Sequence, residues 1–132
     1  MSYTLKVVGD KAPSTDFDLD DIAEQLRLEM PPDEPRLKKR ELATQSGVIE
    51  VLVVVRGHEK LHTHPESDLI FSVLEGGGYV ELSDGRVDAP AGTTIVVPKG
   101  VCHAYHNTAS SDSVLLATFS PALPAPGTCA ET

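Results

Sequence analysis

"GTTIVVPKGVCHAYHN", Gly92 to Asn107, is the stretch that decides how this chain folds. Thr93 to Pro98 is β-branched and apolar, the composition of a strand. Gly92 turns the chain into it, and Pro98-Lys99-Gly100 supplies the residues of a tight turn after it. His103 then stands at the start of a further strand, Cys102 to Asn107.

Upstream lies "KLHTHPESDLIFSVLEGGG", Lys60 to Gly78. Alternate side chains of a strand point to opposite faces, so His62 and His64, two apart, point the same way. Alone, such a pair is more often two solvent-facing histidines than half of a metal site. Leu69 to Gly76 reads as a strand, and so does Gly78 to Leu82. "VIEVLVVVRG", Val48 to Gly57, is apolar nearly throughout, as a strand buried on both faces is. Asp84-Gly85 is a hairpin turn signal, and Ser113 to Ser120 completes the series. Short strands joined by links rich in Gly, Pro, Asp and Ser predict an all-β sandwich or barrel.

The ends differ from this middle. Tyr3 to Gly9 reads as a strand. Asp18 to Met30 reads as a short helix, with Asp18 or Asp20 as cap and Ile22 and Leu26 on one face. Pro31 and Pro32 end it. "RLKKRELAT", Arg36 to Thr44, fits an edge strand or a loop equally. The last residues, "PALPAPGTCAET", read as an extended or disordered tail. The expected division is therefore an N-terminal strand and helix extension over 1–47, a β domain over 48–120 and a flexible tail over 121–132.

The chain has 132 residues, one ordinary domain's length, and a net charge of −9. That charge argues against a surface that tracks nucleic-acid phosphates and against adhesion to an anionic membrane. No apolar run is long enough to span a bilayer. "MSYTLKVVGDK" shows no basic region followed by an apolar core, so no signal peptide is expected. Cys102 and Cys129 are far apart, with Cys129 in the tail, so the expectation is no disulfide and a cytoplasmic protein. Zinc-finger cysteine pairs, a phosphate-binding glycine loop and a dinucleotide GxGxxG are absent.

Together the two histidine segments resemble the cupin superfamily, in particular its small single-domain bacterial members. The family's second motif, G-x5-P-x-G-x2-H-x3-N, is matched by Gly92, Pro98, Gly100, His103 and Asn107. Its first, G-x5-H-x-H-x3,4-E-x6-G, is matched at His62, His64 and Gly76. The resemblance covers about Val48 to Ser120 and implies a double-stranded β-helix, or jelly roll, with a metal held inside its mouth.

The resemblance also implies a carboxylate ligand, and here the chain departs from the family. Counting back from Gly76 puts the motif's glutamate at Leu69. Asp68 is adjacent, but a one-residue slip would turn every side chain of the strand to the other face. Leu69 is therefore expected to face the metal and Asp68 to face away. Three outcomes are open: a site of His62, His64 and His103 alone, as in thiol and diketone dioxygenases; a local bulge that brings in Asp68 as a shorter ligand; or a barrel that has lost its metal.

Phe71 and Val73 share Leu69's face and predict an apolar wall. Tyr105 shares a face with His103 and is the candidate catalytic residue, its hydroxyl orienting a substrate or serving as an acid; a core tyrosine is an equal reading. His106 points the other way. His58 and Glu59 read as solvated turn residues, Cys102 as a small buried hydrophobe, and Asn107 as structural. No Arg or Lys stands on a predicted inward face, which disfavours a phosphate-binding sugar isomerase.

The leading expectation is a metal-binding cupin, an oxygenase-type enzyme on a small apolar or carbonyl-bearing molecule. Fe(II) is favoured, and zinc, nickel or manganese suit the same imidazoles. Isomerase or lyase chemistry would use the same cage. Leu69 motivates a competing reading, a non-catalytic small-molecule-binding or sensor barrel. The N-terminal extension is expected to make a homodimer.

Overall fold

The computed structural model describes residues 2–9, 13–31, 36–45, 47–122 and 127–129. In chain order its elements are β1 (Thr4–Val7), β2 (Thr15–Asp18), α1 (Leu19–Glu29), β3 (Leu37–Gln45), β4 (Val48–Val55), β5 (His62–Thr63) and β6 (Asp68–Glu75). They continue with β7 (Gly77–Leu82), β8 (Gly85–Pro90), β9 (Thr94–Val97), β10 (Ala104–Asn107), β11 (Ser113–Ser120) and β12 (Gly127–Thr128).

Two antiparallel layers form the barrel. One is a five-stranded sheet in the order β3-β4-β11-β6-β9. The other contains β10-β7-β8, with β12 paired to β5. Single bridges His62↔His103 and His58↔His106 join the β5 side to the β10 side. This is the all-β barrel that the short strands and turns predict, in the double-stranded β-helix form that the resemblance implies.

The unalternated sequence of β4 has a structural cause. Ile49, Val51 and Val55 point between the two layers, into a core shared with Leu69, Phe71, Val73, Tyr105 and Leu115. Leu52 and Val54 point outward, where Leu19, Ala23, Leu26 and Met30 of the N-terminal segment cover them. A strand packed on both faces cannot alternate apolar with polar. Fully burying a Val, Leu or Phe is worth about 1.5–3 kcal/mol, so the outer cluster fastens α1 firmly to the barrel. Asp18 caps α1 through a bond from the Asp21 N–H, and the chain leaves the helix at Met30 in extended conformation.

Two glycines let neighbouring backbone segments approach closely. Gly76 has φ +81°, and a Cβ there would lie 2.7 Å from Ser113 Cα. A Cβ on Gly78 would overlap the His106 carbonyl oxygen across the β7–β10 pair.

The structure departs from the sequence reading at several elements. The ambiguous segment Arg36 to Thr44 is strand from Leu37 on, with β3 (Leu37–Gln45) on the sheet edge pairing β4 from Leu37↔Val55 to Gln45↔Val48. β8 was not foreseen; it completes the hairpin around Asp84-Gly85. The tail is not loose where it is described. Gly127 pairs with Thr63 and Thr128 with His62. That pairing carries Cys129 to Cys102, with Cα atoms 6.0 Å apart, and the two form a disulfide. The expectation of no disulfide is thereby corrected, because a tail read as free returns to pair with β5. Unpaired cysteines no longer speak for a reducing compartment. Among the described residues no helix is long and apolar enough to cross a membrane.

Candidate metal centre

The bridge that joins the two sides of the second layer also assembles the site. His62 N–H donates to the His103 carbonyl at 3.0 Å, and His103 N–H donates to the His62 carbonyl at 2.8 Å. Gly100 N–H donates to the His64 carbonyl at 3.0 Å, which docks the Pro98-Lys99-Gly100 turn beside the second histidine. Backbone pairing thus converges residues some forty positions apart. The ring centroids of His62 and His103 lie 4.4 Å apart, those of His62 and His64 4.9 Å, and those of His64 and His103 5.4 Å.

One ligand nitrogen from each of His62, His64 and His103 lies within 4.8 Å of the others. Two donors each about 2.1 Å from a shared ion sit at most about 4.2 Å apart, so small side-chain rotations close the set. The hydrogen bonds fix which nitrogens face inward. His62 Nδ1 donates to the Lys60 carbonyl at 2.7 Å, and His103 Nδ1 donates to the Val101 carbonyl at 3.0 Å. A carbonyl has no proton to give, so each neutral ring carries its proton on Nδ1 and offers a lone pair at Nε2. His103 Nε2 is buried and has no hydrogen-bond partner among the described residues. Burial also pushes the His103 imidazole below its usual pKa, outweighing its bond to Val101, and so holds the ring in its neutral form. A neutral, backbone-oriented imidazole with an unmet buried lone pair fits a metal ion.

Leu69 and Phe71 point from β6 into a cavity of about 480 Å³ beside these imidazoles, and Val73 is buried in the same core. Val51 and Val53 of β4 and Leu115 and Phe119 of β11 continue the apolar wall. Phe119 meets His64 edge to face at 4.8 Å between centroids. The expected orientation of β6 is thus the observed one, with Leu69 inward.

Neither Asp68 nor Tyr105 reaches the three imidazoles. Asp68 is exposed, and its Oδ1 accepts from the Lys99 N–H at 2.9 Å on the outside of the strand. The pairing of β6 with β9 runs without a bulge through Leu69↔Val97, so nothing turns Asp68 inward. Tyr105 is 1% exposed, its ring lies edge-on to Phe71, and its hydroxyl donates to Ser113 Oγ at 2.8 Å. Burial raises the pKa of the phenol, which stays protonated in the core. Its core reading is the one the structure matches.

Four polar residues outside the predicted set line the cavity: Lys39, Glu41, Glu59 and Lys60, and the two lysines correct the expectation that no Arg or Lys faces inward. Lys39 and Glu41 reach it from β3, whose identity as a strand was ambiguous. Glu59, read as a solvated turn residue, lines the cavity too. Its Oε1 accepts from the Tyr105 N–H at 2.9 Å, and its Oε2 lies 3.9 Å from His62 Nε2. Only the proximity of Glu59 to His62 in sequence hinted at this. Asn107 is a structural staple: Nδ2 donates to the Arg56 and Ser111 carbonyls, and Oδ1 accepts from Ser113 Oγ at 2.6 Å. His106 faces outward, stacked between Tyr79 and His58 and bonded to Glu81.

Comparison with known proteins places this geometry in a family. A family model described as a cupin domain matches residues 49–119. An uncharacterized protein of Aquifex aeolicus strain VF5 is 41% identical over 75 residues, which is 57% of this chain and 61% of that protein. The chain therefore spans less than two thirds of that relative's length. KdgF from a Halomonas species superposes with a TM-score of 0.60 at 28% identity, covering 67% of this chain and 81% of that one. A double-stranded β-helix protein from Klebsiella pneumoniae superposes with a TM-score of 0.71 at 14% identity, over 87% of this chain and 96% of the other. At that identity the likeness is one of fold. The match over the barrel and both histidine segments is decisive: the chain belongs to the cupin domain family.

Proposed function

We propose that the protein holds a divalent metal, iron(II) foremost, through His62, His64 and His103, and acts as an oxygenase-type enzyme on a small apolar or carbonyl-bearing molecule. The observation that carries the reading is His103, with Nδ1 committed to a backbone carbonyl and Nε2 buried without a hydrogen-bond partner among the described residues. Bound there, the metal supplies a Lewis-acid centre with open positions for dioxygen and substrate. Zinc, nickel or manganese would suit the same nitrogens.

The chain's own residues do the rest. The backbone bonds at Lys60 and Val101 orient two imidazoles before any ligand arrives. Leu69, Phe71, Leu115 and Phe119 hold an apolar body and keep water from the reacting end. His62, His64 and His103 would bring no charge of their own to the ion.

Leu69 at the place of a carboxylate supports a second reading, a barrel that binds a small molecule without turning it over. Nitric oxide binding to the iron(II)-loaded protein, followed by electron paramagnetic resonance, tests the first. The expected result is a high-spin iron–nitrosyl signal that a His62→Ala/His103→Ala variant lacks. An iron-loaded protein that gives no such signal contradicts open positions on the metal. Nitric oxide binding with no oxygen uptake across a panel of small apolar carbonyl compounds favours the non-catalytic barrel.

A further inference from the structure

Three neutral imidazoles would leave a dication facing a largely apolar cavity, and an uncompensated charge is costly there. Among the described ion pairs, Glu59 is the carboxylate that meets one of the three imidazoles, with Oε2 at 3.9 Å from His62 Nε2. Two donors on one ion at about 2.1 Å each span at most about 4.2 Å, so this separation suits an ion shared with His62; the carboxylate stands outside the 4.8 Å cluster of the three imidazoles, and a rotation of the Glu59 side chain would bring Oε2 toward it. The two carboxylate oxygens have different surroundings. Oε1 is held by the Tyr105 N–H at 2.9 Å, and the Glu59 N–H returns a bond to the Tyr105 carbonyl at 2.9 Å. This double clasp pins Glu59 to β10, two residues after His103, and leaves Oε2 on the side of His62. Asp68, by contrast, is committed on the outer face to the Lys99 N–H.

We propose that Glu59 is the fourth, anionic ligand of the metal, coordinating through Oε2 from the turn before β5 and standing in for the carboxylate that Leu69 cannot provide. The inference rests on the three-histidine reading. Its consequence is a donor set of three nitrogens and one carboxylate oxygen, entering from the β10 side of the site instead of from β6. Glu59 lines the same cavity as Leu69 and Phe71, so the ligand and the apolar wall share one space. The negative charge reduces what the ion must find in a substrate and restricts the open positions to the side facing the cavity.

Cobalt(II) titration of the metal-free protein tests this, with affinity from chelator competition and ligand geometry from the visible absorption spectrum. Glu59→Gln keeps an acceptor oxygen for the Tyr105 N–H, so the metal-free variant should melt as the wild type does. The expected result is a loss of affinity of at least about tenfold, the scale on which altered metal surroundings act, with a changed spectrum. Asp68→Asn should leave both unchanged. Adding Leu69→Glu to Glu59→Gln should restore affinity, since it returns a carboxylate from the opposite wall. Wild-type binding that Glu59→Gln retains, with an unaltered spectrum, overturns the inference and leaves the histidine site standing. A wild type that takes up no cobalt overturns both.

Discussion

Glu50 sits on β4 opposite Thr118 of β11, whose hydroxyl lies 2.9 and 2.8 Å from its two carboxylate oxygens. Burial raises its pKa above the usual 4.5, against the lowering effect of the Thr118 bond. The folded protein therefore binds this proton more tightly than the unfolded chain. The stabilisation is full below the unfolded value and is lost as pH rises through the raised folded value. Glu50→Gln removes the charge and keeps a partner for Thr118. Urea unfolding should find the variant more stable than the wild type near neutrality, with the gap shrinking as pH falls toward about 4. A gap independent of pH would contradict the assigned cause. At this scale the sequence was most informative where alternation applies. His62, His64 and the inward Leu69 follow from a period of two residues. Glu59 does not, because it stands in a turn and is positioned by Tyr105, a partner 46 residues away. Tyr105 shares His103's parity, yet its length carries the hydroxyl to Ser113, away from the metal end.

Elements were legible in proportion to how far local chemistry controls them. The apolar run of β4 announced a strand buried on both faces, and α1 covers its outer side. β8 was obscure because it is mostly exposed and carries little apolar pattern. β3 was obscure because its lysines and arginine suit an edge strand and a loop alike. Residues 127–129 of the tail differ for another reason: their placement comes from pairing with β5 and from the Cys102–Cys129 bond, neither of which composition reveals. That bond closes a sequence separation of 27 residues. Chain entropy alone assigns such a closure about 3.5 kcal/mol. Cys102→Ser/Cys129→Ser should therefore unfold at distinctly lower urea concentration than the oxidised wild type. Denatured wild-type protein should show no thiol reactive toward a thiol reagent. Two reactive thiols per chain, or equal stability, would contradict the bond.

For the whole molecule, the barrel was readable from two short motifs because each fixes a turn, a strand and a side-chain face together. The cavity was only half readable. Its apolar wall follows from Leu69 and Phe71, whereas Lys39 and Glu41 enter from a strand outside both motifs. The central claim is that two layers of sheet converge His62, His64 and His103 on one ion. Elemental analysis of purified protein beside His62→Ala/His103→Ala tests it most directly. The expected result is about one equivalent of divalent metal per chain, raising the melting temperature by mass action and absent from the variant. No metal in either protein after reconstitution, or equal metal in both, would contradict it.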